Sequence, residues 1–251
     1  MIPPQGTYIV IKRYWEGGDG MGKYKALLLD ADDTLLDFQA NERESVKKVF
    51  QKLGLSADDS VLAQYSAINR ELWLAHERGE ITKQMIWNQR FLRLFKALNC
   101  RADGLEAERL YRVALGEGAQ IIPGAVELCQ KLSGAYELYI VTNGTAQTQY
   151  SRIHNAGLDR WVSGVFISEE IGAPKPAKKY FDAVFAAIPF SRQETLIVGD
   201  SLTSDIQGGV NAGIDTCWYN PARLKRDRGP CPTFEIHQLN ELKDVLNRTG
   251  A

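Results

Sequence analysis

The chain is predicted to belong to the α/β class, as a doubly wound parallel sheet with an all-helical domain inserted after the first strand. Three observations predict this. Short continuous apolar runs recur along the chain, each ending in polar residues. Helical patterns separate most of these runs, and one long stretch carries helical patterns alone. Runs that are continuously apolar, rather than alternating, mark strands buried on both faces, as in parallel sheets.

The first run is "YKALLLD", ending at Asp30. From Asp37 to Ile122 no strand pattern occurs. Four helical segments fill that span: "ERESVKKVFQKLGL", "SVLAQYSAINRELWLAHERG", "KQMIWNQRFLRLFKALN" and "EAERLYRVALGEGA". Gly54, Gly79 and Gly104 punctuate them as stops or turns. The strand pattern then resumes in "ELYIVTNG" (137–144), "SGVFISEE" (163–170), "TLIVGDS" (195–201) and "IDTCWYN" (214–220). Helical patterns intervene, such as "AVELCQKLSG" after Pro123-Gly124 and "KKYFDAVFAAI" before Pro189. Strands alternating with helices at this spacing give a Rossmann-like sheet with right-handed crossovers. The expected boundaries are a core of residues 21–36 and 123–251 and a helical cap of residues 37–122.

Residues 1–20 differ from the rest, with a Pro pair, a short apolar stretch and a Gly-rich end. They lack the longer apolar region and small-residue cleavage site of a secretory signal. Met21 is the expected natural start, because "EGG" just upstream is compatible with a purine-rich ribosome-binding sequence. The competing reading is an ordinary N-terminal arm or an added edge strand.

Composition excludes several classes. The 251 residues are 44% hydrophobic and 24% charged, and 30 basic against 31 acidic residues leave a net charge of −1. No global field recruits a nucleic acid polymer or an anionic membrane surface, and no apolar run approaches a membrane span. Cys100, Cys129, Cys217 and Cys231 form no CxxC pair, which suits reduced thiols and a cytoplasmic location. His76, His154 and His237 make no metal-ligand motif.

In an open parallel sheet, ligands bind beyond the carboxyl ends of the strands. The residues ending each apolar run should therefore converge. They are Asp30 and Asp32 in "DADDT", Thr142 and Asn143 in "VTN", Lys175 in "PKP", and Asp200, Ser201 and Asp205 in "GDSLTSD". Singly, each has an ordinary explanation: a strand-end Asp caps or turns the chain, and Thr-Asn-Gly is a common turn. Four such signals in this order form a specific constellation.

On these motifs the chain resembles the haloacid dehalogenase superfamily of phosphohydrolases, whose pattern is DxDx(T/V), a strand ending in (S/T)N, a lone Lys, then GDxxxxD. The helical insertion resembles that superfamily's C1-type cap. Asp33 stands where many members have Gly. The resemblance implies Mg²⁺ as cofactor and a small phosphate monoester as substrate. It implies Asp30 as the nucleophile and Asp32 as the acid and base. Thr142, Asn143 and Lys175 would hold the phosphoryl group. Asp30, the carbonyl of Asp32 and Asp200 would hold the metal, with Asp205 behind them. An acid two residues after the nucleophile favours phosphate-ester hydrolysis over dehalogenation, since a departing halide needs no proton.

The cap sets the leaving group. "DADDTLLDF" and "INRELWLAHERGEITKQMIWNQRF" look similar to the bacterial pyrimidine 5′-nucleotidase branch. On that resemblance Asn69, Trp73, Arg90 and Phe91 are candidates for base or sugar contacts. The plainer reading makes Trp73, Trp87 and Phe91 cap core on amphipathic helices. A sugar-phosphate or acylneuraminate-phosphate phosphatase would share every core motif. A phospho-acceptor signalling module would share the Asp, Thr and Lys residue types but not the insertion.

Overall fold

The computed structural model describes residues 9–10, 22–226 and 228–248. Seven strands form one sheet: β1 (Ile9–Val10), β2 (Ala26–Asp30), β3 (Glu137–Thr142), β4 (Gly164–Ile167), β5 (Thr195–Gly199), β6 (Asp215–Tyr219) and β7 (Phe234–Ile236). Their order is β1-β4-β3-β2-β5-β6-β7, with β1 antiparallel to β4 and every other pair parallel. All five strands expected from the apolar runs are present. Of the two edge strands, β7 was not read from sequence, whereas β1 falls within residues 1–20, where an added edge strand is one of the two readings. Apart from Ile9–Val10, residues 1–21, with the expectation placed on Met21, lie outside the described residues.

Among the described residues there are ten α-helices: α1 (Phe38–Lys52), α2 (Asp59–Glu77), α3 (Lys83–Ala97), α4 (Gly104–Glu117), α5 (Ala125–Leu132), α6 (Ala146–Asn155), α7 (Ser168–Ile171), α8 (Lys178–Ala187), α9 (Gln207–Ala212) and α10 (Leu242–Arg248). Because side chains alternate along a strand, β2 feeds two cores. Leu27 and Leu29 join Leu128, Ile153, Leu242 and Leu246 on one face. Ala26 and Leu28 join Tyr180, Phe181 and Val184 on the other. Covering both faces is what a parallel sheet requires, and it leaves the carboxyl strand ends for chemistry.

The chain divides into two compact units. One runs to Asp37 and resumes at Ile121, and the other is Phe38–Gln120. The second holds α1 to α4 and corresponds to the helical insertion expected from the sequence as a cap. Side chains cap α2, α3 and α4: Asp58 accepts from Val61 N at 3.0 Å, Thr82 from Met85 N at 3.3 Å and Asp103 from Leu105 N at 2.8 Å. Gly54 and Gly79 follow α1 and α2 with φ of 68° and 75°, as helix stops. Gly104 instead opens α4, and the left-handed residue ending α3 is Asn99. Val46, Phe50, Tyr65, Phe91, Leu94, Phe95 and Tyr111 form the cap's own core.

Candidate active site

Asp30 ends β2, the central strand, and is 7% exposed. The Lys175 Nζ donates to its Oδ1 at 2.6 Å, to Asp205 Oδ1 at 2.7 Å and to the Val141 carbonyl at 2.9 Å. Those three acceptors use all three ammonium hydrogens. Lys175 is itself fixed by Asn143. The Asn143 side chain donates to the Lys175 carbonyl at 2.9 Å and accepts from the Lys175 N–H at 2.8 Å. Asn143, read from sequence as a substrate contact, therefore has its amide committed to fastening this loop.

Asp205 reaches the site from a π-helical turn, Leu202–Ile206, that follows β5 and was not foreseen. The wider turn brings its carboxylate back so that Ser201 N–H donates to Oδ2 at 3.1 Å. Gly199 makes the room: a Cβ there would overlap the Asp205 carboxylate. Asp200 is held by its backbone, its N–H on Thr34 Oγ1 at 3.1 Å and its carbonyl accepting from Trp218 Nε1 at 2.8 Å. Among the described residues its carboxylate has only a long 3.4 Å contact from the Thr34 hydroxyl.

Carboxylate oxygens of Asp30, Asp200 and Asp205 lie within 4.8 Å of one another. Burial, then repulsion from Asp205, raises the Asp30 pKa well above the usual carboxylate range against the pull of Lys175. Burial and the charges of Asp30 and Asp205 do the same to Asp200. Burial works against the Lys175 ammonium, yet Asp205 and Asp30 raise its pKa above that of an ordinary lysine. One ammonium leaves this cluster short of positive charge. Hard oxygen donors with a charge deficit fit Mg²⁺. Both Asp205 oxygens already accept a bond, from Lys175 and Ser201. Asp30 Oδ2 and Asp200 Oδ2 accept none among the described residues, which makes Asp30 and Asp200 the better placed carboxylates for the ion.

Thr142 ends β3 and is 1% exposed. Its Oγ1 accepts from Gly144 N–H at 3.0 Å and from Gln149 Nε2 at 2.6 Å. With both lone pairs taken, its hydroxyl hydrogen is left to serve an incoming acceptor oxygen. Asp32 follows β2, and its two carboxylate oxygens accept from Arg152 and from Gln149 Nε2 at 2.8 Å. Gln149, Arg152, Thr34 and Trp218 were not identified from sequence. Thr34 alone had a signal, as the T of "DADDT".

The cap residues proposed as leaving-group contacts divide. Asn69 and Arg90 are 2% and 3% exposed and bonded to each other inside the cap, Arg90 Nη1 donating to Asn69 Oδ1 at 3.1 Å. Arg90 also grips Glu108 through two nitrogens at 2.6 and 2.7 Å, and Asn69 donates to Glu42 at 2.7 Å. The Arg90 guanidinium covers the Tyr111 ring at 4.4 Å. Phe91 is fully buried among Tyr65, Phe95 and Tyr111. These contacts account for the burial of Asn69, Arg90 and Phe91 without a ligand, which favours the plainer reading of them as cap core. Trp73 is half-buried on α2, with Lys83 Nζ 6.0 Å from its ring.

Comparison with known proteins agrees with this architecture. Residues 24–213 match the sequence model of the haloacid dehalogenase-like hydrolases. YfnB of Bacillus subtilis, a protein described as a HAD-hydrolase, is 45% identical over 228 residues, covering 90% of this chain and 97% of that one. Its magnesium-bound crystal structure, reported to reveal interdomain movement, superposes with a TM-score of 0.86 over 90% of this chain and 99% of that one. The pyrimidine 5′-nucleotidase PynA of Streptococcus pneumoniae is 38% identical over 90% of this chain and 96% of its own length. The pyrimidine 5′-nucleotidase YjjG of Escherichia coli is 33% identical over 89% and 98%. With the motifs, the sheet order and these relatives in agreement, the chain belongs to the haloacid dehalogenase-like hydrolases.

Proposed function

We propose that the protein is a Mg²⁺-dependent phosphomonoester hydrolase that works through an aspartyl-phosphate on Asp30, with pyrimidine nucleoside 5′-monophosphates as substrates. The observation that carries the reading is the Asp30–Asp200–Asp205 cluster, with Asp30 and Asp205 buried and Asp200 half-buried, around a single Lys175. Such a cluster is costly unless a cation and a phosphoryl group complete it.

Asp30 attacks phosphorus and the bond to the leaving oxygen breaks. Asp32 gives that oxygen its proton, then takes a proton from the water that attacks the aspartyl-phosphate. Inorganic phosphate leaves and Asp30 is regenerated. Thr142 donates its hydroxyl hydrogen to a phosphoryl oxygen, and Lys175 supplies positive charge beside Asp30 as the transferring group becomes more anionic. When bound, Mg²⁺ would be held by Asp30, Asp200 and the Asp32 carbonyl, and would supply charge neutralisation at the phosphoryl oxygens.

The substrate class rests on the two pyrimidine 5′-nucleotidases among the relatives and on Trp73, a half-buried aromatic face in the cap. Phosphate release should be measured with Mg²⁺ across nucleoside monophosphates and sugar phosphates. For UMP or dTMP, kcat/KM should exceed that for ribose 5-phosphate by about 5- to 150-fold, the worth of one stacked base. Trp73→Ala should shrink that ratio. A preference for a sugar phosphate over every nucleotide would overturn the substrate class while leaving the phosphatase chemistry intact.

A further inference from the structure

Helix α6 begins four residues after Thr142 and sends two buried side chains to the residue assigned above as acid and base. Arg152 and Gln149 are each 1% exposed. Arg152 Nη1 donates to Asp32 Oδ1 in an ion pair, and Gln149 Nε2 donates to Asp32 Oδ2 at 2.8 Å. The same Gln149 nitrogen donates to Thr142 Oγ1 at 2.6 Å. The amide's orientation is not arbitrary. Arg152 Nη1 also lies 3.2 Å from Gln149 Oε1, and a guanidinium can only donate, so the oxygen of Gln149 must face Arg152 and its nitrogen must face Asp32 and Thr142.

A second feature shows that room is kept for this arrangement. At Gly144 an added Cβ would stand 2.6 Å from Gln149 Cδ and Nε2, inside van der Waals contact. Even alanine at 144 would push the amide off Asp32 and Thr142. The chain thus gives up a side chain at 144 and buries a guanidinium at 152, and both serve the placement of one half-exposed carboxylate. A buried arginine is costly to desolvate, and a fold that needed only bulk there would do as well with an apolar residue.

We infer that Arg152 and Gln149 are positioning residues that fix the Asp32 carboxylate for proton delivery to the leaving oxygen, with Gln149 tying that orientation to the Thr142 that grips the phosphoryl group. The inference rests on the phosphohydrolase reading of Asp32. Each carboxylate oxygen has two lone-pair directions. One on each is occupied from α6, which sets the plane of the group. A remaining direction carries the proton that goes to the leaving oxygen and, once emptied, accepts a proton from the attacking water. Without those two donors the carboxylate rotates freely about its side-chain bonds and meets the leaving oxygen in only a fraction of encounters.

The test is a series of substituted phenyl phosphates, from 4-nitrophenyl to unsubstituted phenyl, read as kcat/KM against leaving-group pKa. A 4-nitrophenolate departs with little proton assistance, whereas phenolate needs it. In Gln149→Met and Arg152→Met, which keep most of the volume, the loss should grow from about 2-fold for the nitrophenyl ester to roughly 30-fold for phenyl phosphate. Arg152→Lys, which keeps one donor and the charge, should recover part of the slope. Gly144→Ala should steepen it through the displaced amide. Should Arg152→Met fail to fold, Gln149→Met and Gly144→Ala still give the slope. Equal loss on every ester, or an unchanged slope, in folded Gln149→Met and Gly144→Ala would overturn the inference. Asp32→Asn separates this failure from that of the underlying reading. If it too loses all esters equally, Asp32 is not the proton donor. If it alone steepens the slope, only the positioning role falls.

Discussion

The two units each bury a knot of charge, and the knots differ in how completely they are closed. In the core, Asp30 and Asp205 share the Lys175 ammonium, and among the described residues the neighbouring Asp200 carboxylate has only a 3.4 Å hydroxyl contact. In the cap, Arg90 is gripped by Glu108 through two nitrogens and by Asn69, while Ser66 and Asn69 both donate to Glu42. Both knots strain their carboxylates: burial raises the pKa of Glu42 and Glu108 as it does that of Asp30 and Asp200. Burial and charge alone therefore do not distinguish a site from a strut. Unused acceptor capacity does. Among the described residues the core knot has carboxylate oxygens that accept no bond, on Asp30 and Asp200, whereas every carboxylate oxygen of Glu42 and Glu108 accepts from a neighbouring side chain.

Breaking each knot at its centre should show the difference most strongly. Asp30→Asn replaces the nucleophile with an amide, and turnover should fall by more than about 10³-fold while the fold is kept. Activity near that of the wild type on 4-nitrophenyl phosphate would remove Asp30 from its role. Glu108→Gln should do the reverse. It leaves Arg90 buried beside a neutral partner, at a cost of roughly 3 kcal/mol in stability. Denaturant unfolding should show that loss, with the aryl phosphatase activity of the folded fraction little changed.

Supplying the missing cation sharpens the contrast. At a Mg²⁺ concentration ~100 times its dissociation constant, linkage adds about 2.7 kcal/mol to the folded state. For a chain of this size that raises Tm by roughly 5–10 °C if unfolding is near two-state. Identical melting curves in EDTA and saturating Mg²⁺ would contradict the core site. Asp200→Asn should shrink the shift, whereas Glu42→Gln should leave it unchanged.

Glu42 makes the cap knot titratable. Its folded pKa is raised above the 4.5 of a free glutamate, chiefly by burial, against the hydrogen bonds from Ser66 and Asn69. A carboxylate with a raised folded pKa contributes stability fully below its unfolded value, and the contribution is lost as pH rises through the folded value. Glu42→Gln does not titrate there and retains an acceptor for Asn69. Its stability relative to wild type should therefore improve from pH 4.5 upward and level off once Glu42 is ionised. A difference that is flat between pH 4.5 and 8, or that runs the other way, would show that the cap does not strain this group.

The same contrast explains what was legible in the sequence. The core strands could be read because burial on both faces leaves uninterrupted apolar runs, and the motif carboxylates stand at their ends. β7 escaped because three residues with an exposed Glu235 between Phe234 and Ile236 make no such run. Gln149 and Arg152 escaped for a different reason. They lie 117 and 120 positions from Asp32, and nothing local distinguishes them from polar residues on a surface helix. The partners of Asn69 and Arg90 were illegible for a related reason. Amphipathic spacing says which face a residue occupies, but not whether a polar side chain there meets a ligand or a partner on the next helix. Only the fold shows Glu108 waiting for Arg90.

The smallest expected effect lies at Asp33, where charge and backbone act together. Its φ is 59°, in the left-handed region, and its N–H donates to the Leu36 carbonyl at 2.7 Å, closing the tight turn after the nucleophile. Aspartate tolerates that region better than most side chains, yet glycine tolerates it without cost. Its charge also adds to the repulsion that raises Asp200. Two substitutions separate these contributions. Asp33→Asn keeps the backbone preference and removes the charge, so its effect in EDTA reads the repulsion. Asp33→Gly removes charge and strain together, set against the greater freedom glycine gains in the unfolded chain. Each step should be within about 1 kcal/mol, or roughly 2–4 °C in Tm. The gain from Asp33→Asn should shrink in saturating Mg²⁺, because the cation neutralises the same cluster, whereas the difference between Gly and Asn should be the same with and without metal. If the Asn gain is as large in Mg²⁺ as in EDTA, Asp33 does not belong to the electrostatics of the core knot and acts there through its backbone alone.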